Sequence, residues 1–323
     1  RSLLLPAAEK INIEIGRNLV EAALRTGRRF VVVSRGDSTL RGHFPGEMEA
    51  LEEGLQQRFD AWTLIPYFLQ DGRYTIDNIH YVLEGEHLIP AGETQFAKDA
   101  TFGFHASDLR HWVAEKTKGR ISADDVAAIS LEDIRLGGPG RVKEQLLKLR
   151  QGAVCVVNAV SIRDLKVFTV GLLKARALGR KYLHRTAASF VPVRAGIPAR
   201  PLLTAEELNL PQEGGGLFVI GSYVPKTTKQ VSHLLAAANV SAVEIDVQKL
   251  LAEADRVLEI GRVIAEANAY LSKGVDVALF TSRRLITGND AAKSLQIGQQ
   301  VSTSLVAIVR GISVRPRYLV AKG

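Results

Sequence analysis

The sequence predicts an α/β fold of two domains, each with a mainly parallel sheet flanked by helices. Three observations point there. Short apolar runs alternate with amphipathic stretches. A segment rich in Pro and Gly, from Pro192 to Gly216, interrupts the alternation and is the best candidate linker. Polar and charged residues bunch where apolar runs end, which is where open α/β sheets place their ligands. The chain has 323 residues and is 46% hydrophobic, enough for sizeable cores.

The elements follow in order. Ala8 to Arg25 carries Ile11, Ile15, Leu19 and Ala23 at helical spacing. Phe30-Val-Val-Val33 reads as a buried strand, and the polar run Ser34 to Gly42 follows it. Pro45 suits the first turn of a helix running to about Gln57. Ala61 to Ile65 is another strand, emptying into a loop from Pro66 to Thr75. Residues 76 to 120 are less regular and hold His80, His87, His105 and His111. Val154 to Val157 reads as a strand, Ile162 to Leu178 as a helix and Tyr182 to Thr186 as a short strand. Beyond the linker, strands are expected at Leu217–Gly221, Ala242–Asp246, Asp276–Thr281 and Tyr318–Ala321. Helices are expected at Thr227–Ala238, Val247–Leu271 and Ala291–Arg310. That βαβαβαβ order implies a parallel sheet with right-handed crossovers.

Composition narrows the function. The formal charge of +8 favours anionic partners or is simply a basic surface. Basic residues are spread out, without a Lys/Arg run or an aromatic–basic ladder, so no nucleic acid is expected. The single Cys155 sits in an apolar run and reads as core, which suits a cytoplasmic protein without disulfides. No apolar run is long enough to span a bilayer, so no membrane is expected. No histidine pair has the spacing of a helical zinc site, and G-x-S-x-G is missing. The opening on Arg1 and the close on Gly323 read as cuts from something longer.

Four polar groups could carry chemistry. In Ser34 to Gly42, Arg35 or Arg41 could clamp a carboxylate, Asp37 could accept from sugar hydroxyls, and Ser38 and Thr39 could do either; a capped βα loop is the plain alternative. Gly72-Arg73 could add an anion contact or be a surface hairpin. Gly221 to Thr228 has Pro225 where a P-loop needs glycine, so it is either a helix N-terminus holding phosphate or an ordinary N-cap by Thr227 or Thr228. Thr281-Ser-Arg-Arg284 could line the same crevice or be a charged loop.

Together these residues resemble the four-carbon acid sugar kinases, long catalogued as a domain of unknown function. The resemblance runs over essentially the whole chain. It is carried by Asp37-Ser-Thr-Leu-Arg-Gly42, by Arg1-Ser2-Leu3, by Pro66 through Arg73, by Gly221-Ser222 and by Lys322-Gly323, which is similar to the start of a Gly-rich phosphate loop. It implies a sugar-acid domain over 1–210 and a nucleotide domain over 211–323, with a ligand cleft between them. It further implies ATP and Mg²⁺ as cofactors, a four-carbon acid sugar (threonate, erythronate or oxo-tetronate type) as substrate, and a homodimer as a possible assembly. Substrate contacts would come from Arg35, Asp37, Ser38, Thr39, Arg41 and Arg73, and nucleotide contacts from Ser222, Thr281, Ser282, Lys322 and Gly323. Asp37 is the candidate base. The family's Asp-Asp-x-Thr-Gly opening has no counterpart here. The rival expectations are a non-catalytic anion- or sugar-acid-binding regulatory protein and an inactive fragment of the kinase.

Overall fold

The computed structural model describes residues 3–237 and 239–322. The chain divides into Leu3–Arg200 and Pro201–Gly323, and the division falls inside the expected linker.

The strands, in chain order, are β1 (Val33–Arg35), β2 (Ala61–Ile65), β3 (Arg73–Ile76), β4 (Ile79–Glu84), β5 (His87–Pro90), β6 (Ala127–Ile129), β7 (Ala153–Val157), β8 (Tyr182–Thr186), β9 (Leu217–Ile220), β10 (Val240–Ile245), β11 (Asp276–Thr281) and β12 (Leu319–Lys322). The first unit holds a five-stranded parallel sheet, ordered β1-β8-β2-β7-β6. Strand side chains alternate between two faces. Trp62, Leu64 and Leu183 pack with Met48, Leu51, Leu109 and Trp112 from helices Gly46–Leu55 and Leu109–Lys116. Ala61, Ile65, Cys155 and Tyr182 pack instead with Val142, Leu146, Leu165, Phe168 and Phe190. Those residues come from helices Gly138–Lys148, Ile162–Ala177 and Phe190–Ala195. Right-handed crossovers account for the split. The chain moves one way across the sheet from β1 to β2 to β6, and the other way from β6 to β7 to β8.

Between β2 and β6, where the sequence shows no regular period, the chain makes an antiparallel excursion, β3-β4-β5. Its first turn is Asp77-Asn78, both at positive φ (49° and 67°), the backbone that twists a tight hairpin correctly. Thr75 and Ala159 exchange backbone hydrogen bonds, tying the excursion to the segment after β7.

The second unit is also parallel, ordered β10-β11-β9-β12. Leu217, Val219, Val243, Ile245, Val277 and Leu279 bury against Val263, Ala267, Leu271 and Ile308. Those helical residues belong to Glu253–Leu271 and Ala291–Gly311.

Several expectations are corrected. Phe30 and Val31 are 40% and 37% exposed, because β1 is an edge strand whose pairing with β8 starts only at Val33↔His184. The first helix runs Leu5–Thr26, closed by Gly27 at φ 64°. The helix expected over Val247–Leu271 breaks at Ala252, which is extended (φ −78°, ψ 122°). The Arg256 and Gln300 side chains donate to the Leu250 carbonyl freed by the break. Pro192 lies in helix Phe190–Ala195 rather than in a linker. Neither Thr227 nor Thr228 is an N-cap: the helix starts at Pro225, and Thr228 Oγ1 donates back to the Val224 carbonyl. Ala238, the expected end of that helix, lies outside the described residues, as do Arg1, Ser2 and Gly323. Cys155 is buried, and no described helix is long and apolar enough to cross a membrane.

Helices Leu5–Thr26 and Gly46–Leu55 cross glycine on glycine. A Cβ on Gly16 would come within 2.6 Å of Gly54 C, and one on Gly54 would strike the Ile13 carbonyl. Gly54→Ala is therefore expected to destabilise the first unit by about 1–3 kcal/mol. Gly140→Ala, which faces open space on helix Gly138–Lys148, should be neutral or stabilising by up to about 1 kcal/mol. Urea unfolding followed by tryptophan fluorescence checks both, since Trp62 and Trp112 are the chain's two tryptophans and lie in that unit.

Candidate functional site

In the first unit the polar residues start where the parallel strands end. The Gly36 amide donates to the Thr186 carbonyl at 2.8 Å, carrying the chain past the end of β1 alongside β8. The loop then reverses at Leu40, whose φ is 65° although it is not glycine. Its side chain is buried among Phe44, Leu51 and Trp112, and that packing holds a backbone conformation leucine otherwise avoids. The polar side chains flanking this pin meet each other. Thr39 Oγ1 donates to Asp37 Oδ2 at 2.5 Å, and Arg41 Nε donates to the same oxygen at 2.8 Å. Arg41 also reaches Asp99 Oδ2 at 3.4 Å.

Arg73 comes to the same place from β3. It is buried, not a surface hairpin residue, and pairs with Asp71 at 3.0 Å. Its Nε is buried with no hydrogen-bond partner among the described residues. Burial pushes its pKa down from the ordinary guanidinium value, opposed by the charges of Asp71 and Asp37. The Arg41 and Arg73 guanidiniums both lie over the Phe96 ring, 4.9 and 5.5 Å from its centroid. One aromatic face thus braces two like charges.

His80 locks the loop to the excursion. Its Nε2–H donates to the Ser38 carbonyl at 2.8 Å, and Nδ1 accepts from Thr75 Oγ1 at 3.1 Å. The ring is fully buried, and burial pushes its pKa down to about 4, so it works as a neutral donor.

Sequence reasoning missed Arg185. It leaves β8, donates to Ser34 Oγ at 3.1 Å and pairs with Glu47 of helix Gly46–Leu55. Its guanidinium passes where two glycines leave room. A Cβ on Gly36 would lie 2.5 Å from its Nε, and one on Gly42 (φ 134°) 3.0 Å from its Nη2. Asp37, Arg41, Arg185 and Thr186 share the lining of a cavity of about 20 Å³, room for one water. The signal in the sequence was the pair of glycines bracketing the polar run.

Of the predicted residues, Asp37, Thr39, Arg41 and Arg73 are brought together, and Ser38 joins through its carbonyl. Arg35 is exposed, and among the described residues no side-chain hydrogen bond ties it to the group. Against the neighbouring carboxylates Asp37, Asp71 and Asp99, Arg41 and Arg73 make a polar cluster suited to an acid that also carries hydroxyls.

In the second unit, the chain leaving β9 crosses to β10 on one side of the sheet, and the chain leaving β11 crosses to β12 on the other. Between the ends of β9 and β11 lies a topological switch point, the usual crevice for a ligand in such sheets. Ser222 and Thr281 are drawn together there. Thr281 Oγ1 donates to the Gly221 carbonyl at 3.2 Å. Arg283 donates to the Ser222 carbonyl at 2.8 Å and to Thr281 Oγ1 at 2.9 Å, so it acts as a clasp. Thr227 Oγ1 donates to Ser222 Oγ at 3.1 Å. Ser282 is turned toward β10, with its Oγ accepting from the Val247 amide at 3.4 Å. The exposed Lys322 ends β12 and accepts through its carbonyl from the Gly221 amide at 2.9 Å. Gly323 lies outside the described residues.

Comparison with known proteins agrees with the two units. Residues 1–194 match the family model of a sugar-binding N-terminal domain, and residues 217–323 match that of a nucleotide-binding C-terminal domain. Among solved structures, a Haemophilus influenzae protein from a family labelled as a domain of unknown function is similar at 17% identity and a TM-score of 0.51, over 92% of this chain and 69% of that one. A Salmonella typhimurium LT2 protein provisionally named a tRNA synthase is similar at 16% identity and a TM-score of 0.56, over 87% of this chain and 63% of that one. A Bordetella bronchiseptica domain of unknown function, crystallised with citrate as a domain-swapped dimer, aligns at 19% identity with a TM-score of 0.44, over 100% of this chain and 68% of that one. At these identities the first two likenesses show the fold alone, and the chain spans roughly two thirds of each of the three. No curated protein matches the sequence.

Two buried histidines set a pH response. Burial depresses His80 to about 4 and His184 to about 3, against 6.5 for a free ring. The unfolded chain therefore binds protons that the folded one refuses. Stability is complete above pH 6.5 and falls as the pH drops from there toward 4, by up to about 1.4 kcal/mol per pH unit for each ring. The urea midpoint of the first unit is expected to fall across that window. The His80 ring signal in NMR is expected to stay fixed between pH 8 and 5, and a midpoint near 6.5 for that signal would contradict the buried neutral donor.

Proposed function

Since the chain belongs to the four-carbon acid sugar kinase family, with its sugar-binding N-terminal and nucleotide-binding C-terminal domains, we propose that it takes part in ATP-dependent phosphorylation of a four-carbon acid sugar on a terminal hydroxyl. The observation that carries this reading is the pair of guanidiniums, Arg41 and Arg73, braced on one Phe96 face beside Asp37. Two fixed cations next to a carboxylate suit a substrate with a carboxylate at one end and hydroxyls along its length.

The chain's residues would divide the work as follows. Arg73, with its unpartnered buried Nε, and Arg41 hold the sugar's carboxylate. Thr39 and the Ser38 backbone, steadied by His80, bound the hydroxyl-bearing part. Asp37 accepts from a sugar hydroxyl and is the candidate proton acceptor for the attacking one. In the second unit, Ser222 and Thr281 at the switch point, with Ser282 and Lys322 at neighbouring strand ends, are the residues that would hold ATP. The Gly-Ser turn before helix Pro225–Ala237 fits a phosphate group. ATP supplies the γ-phosphoryl group, and most of the catalysis in such a transfer is positioning and charge neutralisation. Among the described residues no group of three His, Cys, Asp or Glu side chains is placed to hold a metal ion, so no ligand set is assigned to Mg²⁺.

The test is ADP release in the presence of ATP and Mg²⁺ over D- and L-threonate, D- and L-erythronate and the oxo-tetronates. Turnover with one of them is expected. Asp37→Asn should lower kcat/KM by about 10²-fold or more, and Arg73→Gln should raise KM by about tenfold, the loss of one charge-assisted contact. Saturable acid-sugar binding without turnover would instead establish the binding or regulatory reading. Neither binding nor turnover would overturn both.

A further inference from the structure

Away from that cluster, buried donors without acceptors gather at a second place in the first unit. Arg176 lies in the last turn of helix Ile162–Ala177 and Arg194 in the last turn of helix Phe190–Ala195. His184 stands in the middle of β8, on the sheet face these helices cover. Arg176 Nη1, Arg194 Nε and His184 Nε2 are each buried with no hydrogen-bond partner among the described residues. Thr169 Oγ1 is in the same state, two turns before Arg176 on the same helix face. The groups are neighbours. The Phe190 ring lies 5.2 Å from the His184 ring and 6.1 Å from that of Phe168. The charge of Arg194 acts on both Arg176 and His184, and that of Arg29, just ahead of β1, acts on Arg176.

Every charge here has one sign. Among the described residues Arg29, Arg176 and Arg194 have no ion pair. Among the described residues no carboxylate is among the charges that shift Arg176, Arg194 or His184. Other half-buried or buried arginines of this unit are paired, among them Arg41 with Asp37, Arg180 with Asp60 and Arg185 with Glu47. Thr63 Oγ1 and His184 Nδ1 are hydrogen-bonded at 2.7 Å, and His184 Nε2 is buried with no partner among the described residues; with Thr63 as donor, the ring hydrogen sits on Nε2. Uncompensated guanidiniums beside a desolvated donor are unfavourable unless something brings negative charge and acceptor oxygens. The group grades from exposed Arg29 through half-buried Arg176 and Arg194 to fully buried His184, so its cationic members stay open to solvent while its floor is dry.

We propose that Arg29, Arg176, Arg194 and His184 form a binding site for a small oxyanion, a phosphate or carboxylate group, separate from the Asp37–Arg73 cluster. The guanidiniums supply charge and N–H donors, and His184, in the tautomer with its ring hydrogen on the unpartnered Nε2, supplies a buried donor. This does not rest on the kinase reading.

The experiment titrates the full chain with inorganic phosphate and, separately, with succinate, against sodium chloride at matched ionic strength. Binding is read by calorimetry and by the His184 ring signal in NMR. Saturable binding that moves the His184 signal is expected with at least one of the two. Phosphate alone identifies a phosphate site, and succinate alone a carboxylate site. Arg176→Gln and Arg194→Gln should each weaken that binding on the order of tenfold, as expected for one charge-assisted contact. Arg163→Gln, exposed on the same helix, should not. If a variant fails to fold, the wild-type His184 signal decides. An unmoved His184 signal with both anions, or unchanged affinity in both variants, overturns the proposal.

Discussion

The handedness of the parallel crossover is the constraint on which the rest depends. A right-twisted strand feeding a helix returns to its sheet on one side only. The order β1-β8-β2-β7-β6 therefore sends the segments leaving β2 and β7 to opposite faces. In the second unit the same rule parts the segments leaving β9 and β11. At each parting a crevice opens beyond the carboxyl ends of the two strands, and short polar loops can converge there. The first unit fills its opening with the antiparallel excursion, held by the Thr75–Ala159 pair and by Asn158, which accepts from the Asn78 amide at 2.8 Å. The second closes it more lightly, with the Arg283 clasp across Ser222 and Thr281.

Burial of charge then decides which contacts matter. Arg73 and Arg185 are almost wholly removed from water, and each keeps a carboxylate, Asp71 and Glu47. Removing one member of such a pair strands the other in a poor medium for charge. An exposed pair such as Arg25–Glu21 contributes little by comparison. The buried pairs are therefore the ones that fix loop geometry.

Much of this was legible in the sequence. Ala61–Ile65, Tyr182–Thr186 and Asp276–Thr281 are strands with the expected ends, because short apolar runs bounded by polar turns leave few alternatives. The meeting of Asp37, Thr39 and Arg41 was legible in the polar run after the first strand, which mixes cations, a carboxylate and hydroxyls densely. Other features were hidden for physical reasons. Phe30 and Val31 look like core, but an edge strand's length depends on its neighbour's register, which the local sequence does not carry. The break at Ala252 has no glycine or proline to announce it; side chains from Arg256 and Gln300 make it tolerable. The Asp77-Asn78 turn carries no glycine to mark a hairpin, and His80 beside it reads in the sequence only as one of several scattered histidines. His80 proved to be a neutral strut instead. Arg185 was invisible because period-two alternation says which face a residue takes and not which loop it meets.

The threading of Arg185 past Gly36 and Gly42 has a consequence for how this sequence can change over generations. The two loop positions are confined to glycine for as long as position 185 carries a long side chain held by Glu47 and Ser34. Shortening that side chain would free the loop to accept larger residues, but would leave Glu47 without its cation. Substitutions at 36, 42, 47 and 185 should therefore be tolerated in combination far more often than singly. A stretch of loop, a helix start and a strand end, distant along the chain, would be inherited as a unit.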